Sequence, residues 1–204
     1  MGNRAFAPRS AADVATLIAA HPLAWIVSRD FRATPLPLLA ETDSDGVIVA
    51  LFGHFARRNP QVASLTADPG AVILFQGPQA YVSPTLVSNA TWGPTWNYAV
   101  ARFEVGIEFL EGQAAAAVER LADHLEPNGT WTVAAMGPRY EQLTTHIVAF
   151  RAHVRAADTT FKLGQDEQPA TFAEIVDGLG DTALAGMMRA QRARDPVSQL
   201  DRDD

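Results

Sequence analysis

Between Arg102 and Phe109 the chain alternates with period two. Phe103, Val105, Ile107 and Phe109 fall on one face, and Arg102, Glu104 and Glu108 on the other. A segment of that kind belongs at the boundary between a core and water, as a half-buried strand. The pattern returns over residues 147–155, where Val148, Phe150, Ala152 and Val154 oppose Arg151, His153 and Arg155. Such strands need partners, and the sequence supplies candidates. Leu23 to Ser28, Thr34 to Leu39, Val47 to Phe52, Ala71 to Phe75 and Tyr81 to Ser83 are β-rich. The turn signal Asp43-Ser44-Asp45-Gly46 joins two of them as a hairpin. Pro35 and Pro37 withhold ladder donors, which places their strand at an edge or a bulge.

Helical patterns lie between and after these strands. Ser10 caps an amphipathic stretch with Val14, Leu17 and Ile18 that stops before Pro22. A short helix is expected within Phe55 to Leu65, with Pro60 near a boundary, and further helices over Ala114 to Leu125 and Arg139 to Thr145. Two more follow Gln168-Pro169, the second over Leu184 to Arg192. No regular strand–helix–strand cadence is present, so the expected class is mainly β with α (α+β), an antiparallel barrel with peripheral helices. Residues 1–165 form the barrel domain, and 166–204 a C-terminal helical extension packed on it, with a polar, frayed end at Asp201 to Asp204.

Composition excludes several functions. The chain has no cysteine, which removes disulfides, thiolate nucleophiles and cysteine metal sites. Its five histidines form no metal-binding spacing, so no metal is expected. Nor is there a Gly-x-Ser-x-Gly elbow or a dinucleotide fingerprint. No apolar run reaches the roughly 20 residues of a membrane helix, and the N-terminus has no leader pattern, so a cytoplasmic protein without membrane contact is expected. A net charge of −7 on average repels a phosphate backbone, and no helix-turn-helix with a basic recognition helix is found. DNA enters only as a partner that a regulatory role would bring.

Three segments are more specific: Gly53-His54-Phe55-Ala56-Arg57-Arg58-Asn59-Pro60, Phe75 to Pro84, and Pro94-Thr95-Trp96-Asn97-Tyr98. Together with His21-Pro22-Leu23-Ala24, Leu36-Pro37-Leu38 and Lys162-Leu163-Gly164-Gln165, their order and spacing resemble the PaiB-type FMN-binding negative transcriptional regulators. The resemblance runs from about Phe6 to Met188. It implies a split β-barrel related to flavin reductases, a homodimer, and FMN bound where two subunits meet. The chain departs from the family pattern at Pro35, Gln79, Leu86, Val87, Gly164 and Asp166. Two alternatives therefore stand beside a flavin-dependent regulator: an FMN-dependent oxidoreductase using a reduced nicotinamide, and a cofactor-free dimer that has lost the flavin site.

The residues expected to bind FMN are His54, Arg57, Asn59, Tyr81, Ser83, Trp96, Asn97, Lys162 and Gln165. Trp96, with Trp92 and Tyr98 nearby, either walls an isoalloxazine ring or packs without a ligand. Asn97 offers an amide to a ring carbonyl or satisfies the local backbone, and His54 donates to the flavin or caps a strand end. Tyr81 and Ser83 present hydroxyls at a strand end. Arg57 and Asn59 open a short helix where N–H groups and a guanidinium converge on one anion. Lys162, the only lysine in the chain, stands in the last motif beside Gln165. No catalytic residue is assigned.

Overall fold

The computed structural model describes residues 4–193. The C-terminal Asp201 to Asp204, expected to be frayed, lies outside them. Seven strands form one sheet: β1 (Leu23–Ser28), β2 (Ala33–Pro37), β3 (Leu39–Thr42), β4 (Ile48–Ala56), β5 (Gly70–Val82), β6 (Thr95–Leu110) and β7 (Ile147–Lys162). Their order is β2-β1-β5-β6-β7-β4-β3. β1 pairs antiparallel with β2 and β5, and β4 with β3 and β7. The helices are α1 (Ala11–Ala20), α2 (Pro60–Ala67), α3 (Ala114–Leu125), α4 (Arg139–Thr144), α5 (Pro169–Leu179) and α6 (Ala183–Ala193).

Contacts divide the described residues into two compact units, one of residues 11–75 and 101–157, the other of 4–10, 76–100 and 158–193. The first holds the barrel. Its strands β2 and β3 stand at opposite ends of the sheet order, yet only Leu38 separates them in the chain. A sheet whose two ends are joined by one residue must curl round on itself. Leu38 is fully buried at that junction, and Leu38 N donates to Pro22 O at 2.9 Å. Close approach there depends on Gly53. A Cβ at Gly53 would stand 2.5 Å from Leu38 Cδ2 and 3.2 Å from the Pro37 carbonyl oxygen.

The inner face of this unit carries Ile26, Ile73, Leu51, Phe55, Phe75, Phe103 and Phe150, each 1% exposed or less, while Phe52 is buried on the opposite face of β4 with Ala117 of α3. Phe75 meets Phe103 edge-on with centroids 6.0 Å apart, and Phe55 leans on Phe150 at 5.0 Å. The alternation at Phe103 to Phe109 sits on β6 as expected, with Glu104 and Glu108 exposed. α3 is held against the barrel by Arg120, whose guanidinium lies 4.1 Å from the Phe52 ring and donates to Glu41 at 2.9 Å. β2 is an edge strand, with Pro37 opposite Leu23 and Pro35 opposite Trp25.

The helix expected within 55–65 starts later than its sequence suggests. β4 continues through Ala56, paired with Ile147, and α2 begins at Pro60. Asn59 stops the strand and caps the helix, its Oδ1 accepting from Gln61 N at 2.9 Å. Pro60 takes the first helical position, where a missing N–H costs nothing.

The second unit combines the remaining parts of β5, β6 and β7 with α5 and α6. Phe172, Ile175, Val176, Leu184 and Met188 give the two helices their buried stripe; Phe161, Val82 and Ala99 are buried from the strands, and Leu163 from the turn after β7. Gly164 adopts φ +80°, and a Cβ there would lie 3.2 Å from the Phe172 ring. The chain turns into α5 at a point that needs both left-handed backbone and an empty Cβ position.

Candidate functional site

His54, Arg57 and Asn59 belong to the barrel unit; Tyr81, Ser83, Trp96, Asn97, Lys162 and Gln165 belong to the other. In the barrel unit, His54 sits on β4 between the buried Gly53 and Phe55. Burial pushes its imidazole below the usual value of 6.5, so the ring is neutral near pH 7. Its Nδ1 is buried without a hydrogen-bond partner among the described residues. A neutral ring with an open buried nitrogen suits one hydrogen bond to a ligand carbonyl or N–H, rather than a phosphate dianion.

Three residues further on, Arg57 is already engaged. Its Nη1 and Nη2 each donate to one carboxylate oxygen of Glu111 at 3.0 Å, a parallel pair open to solvent. Asn59 is also committed, with Nδ2 donating to Thr34 Oγ1 at 3.0 Å while Oδ1 caps α2. Val62 N donates to Asn59 O at 3.0 Å, so the first N–H groups of α2 are taken by Asn59 itself. The three follow one another along the end of β4, but each has its own surroundings, and Asn59 acts as a cap.

Sequence reasoning passed over Gln61. It is 1% exposed, and its Nε2 donates to Ile26 O at 2.9 Å, Arg32 O at 3.0 Å and Ser28 Oγ at 3.2 Å. This side chain ties α2 to the β1–β2 hairpin while its Oε1 stays buried without a partner. The signal was Asn-Pro followed by a polar residue on the inward side of a helix start, which reads as solvent-facing until the hairpin is known.

In the other unit, three candidates come together. Trp96 and Tyr81, each about half exposed at 51% and 49%, approach with ring centroids 6.1 Å apart at 58°. Lys162 donates to Thr95 Oγ1 and to the Trp96 carbonyl at 3.2 Å, which holds its ammonium at the backbone that carries Trp96. Trp92, also in this unit, donates from Nε1 to Glu167 at 3.1 and 3.2 Å. The remaining three do not join the shelf. Asn97 is 2% exposed and its Nδ2 contacts Met188 Sδ at 3.7 Å. Gln165 closes its own turn by accepting from Leu163 N at 2.7 Å and donating to Phe161 O. Ser83 caps a single 3-10 turn, accepting from Thr85 N at 3.2 Å.

Residues 2–156 match the family described as "Putative FMN-binding domain". The chain belongs to that family. The match includes seven of the nine candidates and ends before Lys162 and Gln165. The chain is also 28% identical, over 153 residues, to the protease synthase and sporulation protein PAI 2 of Bacillus subtilis, covering 72% of each sequence. The PaiB-type resemblance read from the motifs is thereby borne out. Among solved structures, a conserved hypothetical protein of Mycobacterium tuberculosis superposes with a TM-score of 0.58 at 12% identity, over 83% of this chain and 94% of that one. An FAD- and heme-binding protein of Mycobacterium smegmatis does so with a TM-score of 0.52 at 15% identity, over 76% and 72%. At these identities the likeness speaks for the fold, and it supports the split-barrel class expected for the family.

The residues in place fit a flavin in part. Taken unit by unit, the open Nδ1 of His54 suits a polar ring edge, and the shelf of Trp96, Tyr81 and Lys162 suits a flat face and a negative charge. Asn59 and Asn97 are spent on structure. No helix among the described residues is long and apolar enough to cross a membrane, and they contain no metal-binding cluster.

Proposed function

We propose that this protein binds FMN and acts as a flavin-dependent regulator of the PaiB type. The observation that carries this reading is the buried, unsatisfied Nδ1 of His54 inside the family's own motif. An open buried nitrogen costs about 1–3 kcal/mol, and a bound flavin would repay that cost. His54 would hydrogen-bond the ring system. In the other unit, Trp96 and Tyr81 would offer a flavin an aromatic face, and Lys162 a cation for a phosphate. Arg57 would reach the phosphate by exchanging Glu111, which is cheap because the pair is exposed. Ser83, Asn97 and Gln165 would support the segments that carry these groups. When bound, FMN supplies one- and two-electron redox chemistry that the side chains lack.

The proposal extends to a homodimer. On the outer face of the barrel unit, Pro35, Trp25 and Leu74 lie directly across from one another on β2, β1 and β5, with Trp25 52% and Leu74 40% exposed. A cross-strand apolar row in water favours cover by a second copy. The family's regulatory role makes DNA a partner of the assembly, and the cytoplasm its place.

The test is the visible absorption spectrum of purified protein during FMN titration, with His54→Ala alongside. Saturable flavin binding that weakens in the variant supports the reading. No binding by the wild type rejects it. Sedimentation showing a 22.0 kDa monomer at micromolar concentration rejects the dimer.

A further inference from the structure

On the outer face of the barrel unit, one step along β1 and β5 from Trp25 and Leu74, the strands leave a hollow of about 500 Å³. That lies within the roughly 300–1,000 Å³ of small-molecule sites. None of the nine FMN candidates lines it. Its apolar floor includes Val27 and Val72, paired across β1 and β5. Arg29 and Arg155 also line it, and each lies over an outward-facing glycine. A Cβ at Gly70 would stand 2.4 Å from Arg29 Nε, and one at Gly106 would stand 2.6 Å from Arg155 Nη2. Any other residue at either position would displace the guanidinium.

Arg155 is uncommitted. It has no hydrogen bond or ion pair with a described residue. The acids flanking Gly106 on β6 are occupied elsewhere, Glu104 with Arg102 at 2.9 Å and Glu108 with His153 at 2.7 Å. Arg29 holds Asp68 only loosely, at 3.4 Å with both side chains mostly exposed.

Phe31, also lining the hollow, carries the second observation. It is the one non-glycine described residue with positive φ, at +63°, and it is 89% exposed. Left-handed backbone is unfavourable for a residue with a bulky side chain, and a bare aromatic ring in water is unfavourable as well. The hairpin enforces the turn through Phe31 N to Ser28 O at 2.9 Å and Ser28 N to Arg32 O at 3.0 Å. Glycine would satisfy that backbone better, so the ring is what phenylalanine contributes there.

We propose that this hollow is a second ligand site that takes a small aromatic monocarboxylate. The guanidinium groups meet the carboxylate, while Val27, Val72 and Phe31 pack its ring. Glu104, paired with Arg102, also lines the hollow, and its negative charge disfavours dianions and polyphosphates.

Calorimetric titration with benzoate tests this, with benzyl alcohol and inorganic phosphate as comparison ligands and full-length protein throughout. Benzoate binds the wild type, whereas benzyl alcohol and phosphate do not. Arg155→Ala and Gly106→Ala each weaken benzoate by about tenfold, the worth of one charged hydrogen bond. Phe31→Gly also weakens it, yet raises the melting temperature by relieving the backbone, so lost affinity is not lost fold. FMN affinity is the same in all three variants, which separates this site from the flavin reading. The proposal is overturned if phosphate or benzyl alcohol binds as well as benzoate, or if benzoate binds Arg155→Ala and Phe31→Gly as tightly as the wild type.

Discussion

Arg57 and Glu111, 54 positions apart, meet through two parallel N–H···O bonds of 3.0 Å that join the end of β4 to the end of β6. The guanidinium holds the Glu111 carboxyl below its usual range. Arg57 is thus a cation with a replaceable partner, and an incoming phosphate competes with one carboxylate. Glu111→Gln is expected to strengthen FMN binding. Arg57→Ala is expected to weaken it by about 1.5–3 kcal/mol, as for a lost charged hydrogen bond. Riboflavin, which lacks the phosphate, should respond to neither. Titrating both ligands into the three proteins checks this, and equal shifts for FMN and riboflavin would assign Arg57 to the fold.

Trp96 and Trp131 offer a matched comparison, since they are 51% and 42% exposed. Only Trp96 pairs with Tyr81 and sits beside the Lys162 ammonium. Trp96→Ala should cost about 1–3 kcal/mol of FMN affinity, and Trp131→Ala should cost none. Fluorescence titration of the two variants decides, and identical affinities would remove the aromatic shelf from the proposed site.

Asp30 should govern part of the acid stability. Hydrogen bonds from Ser28 Oγ at 2.6 Å and Ser64 Oγ at 2.7 Å, then from Arg32, lower its carboxyl from 3.8 to about 2. A carboxyl lowered in the folded state stabilises fully above pH 3.8, and that contribution is lost as pH falls through about 2. Asp30→Asn should therefore melt lower than wild type at pH 7, with the gap closing between pH 4 and pH 2. Circular dichroism melts across that window check it; a constant gap would mean that charge is irrelevant at this turn.

Gly53→Ala should destabilise by about 1–3 kcal/mol, the usual cost of overpacking, because its Cβ would meet Leu38 and the Pro37 carbonyl. Gly93→Ala, with nothing within 4 Å, should be nearly neutral. Urea midpoints of the two variants provide the comparison.

Local chemistry made much of this fold legible. The helix over Ala114 to Leu125 has the expected bounds because alanine-rich propensity and packing agree there. The alternation around Phe103 named the buried face of β6 correctly. Strand length was not legible. β5 continues through Gly77-Pro78, a local turn signal, past Phe75 where its pairing with β1 ends. The site was legible as motifs but not as geometry. Nothing near Arg57 in sequence announces Glu111, and nothing near Lys162 announces Thr95. The double use of Asn59 appears only once Thr34 is placed beside it.

Pro35 and Pro37 share one parity on β2, so the hydrogen-bonding positions facing β1 fall to the intervening Thr34 and Leu36. The two ring nitrogens then point outward. A foreign strand arriving at that margin finds carbonyls to donate to but no N–H at two successive places. Copies of this protein therefore cannot grow into fibrils by adding strand to strand along β2. Crowding them together leaves the contact to side chains, and a contact made by side chains can be specific and can stop at two.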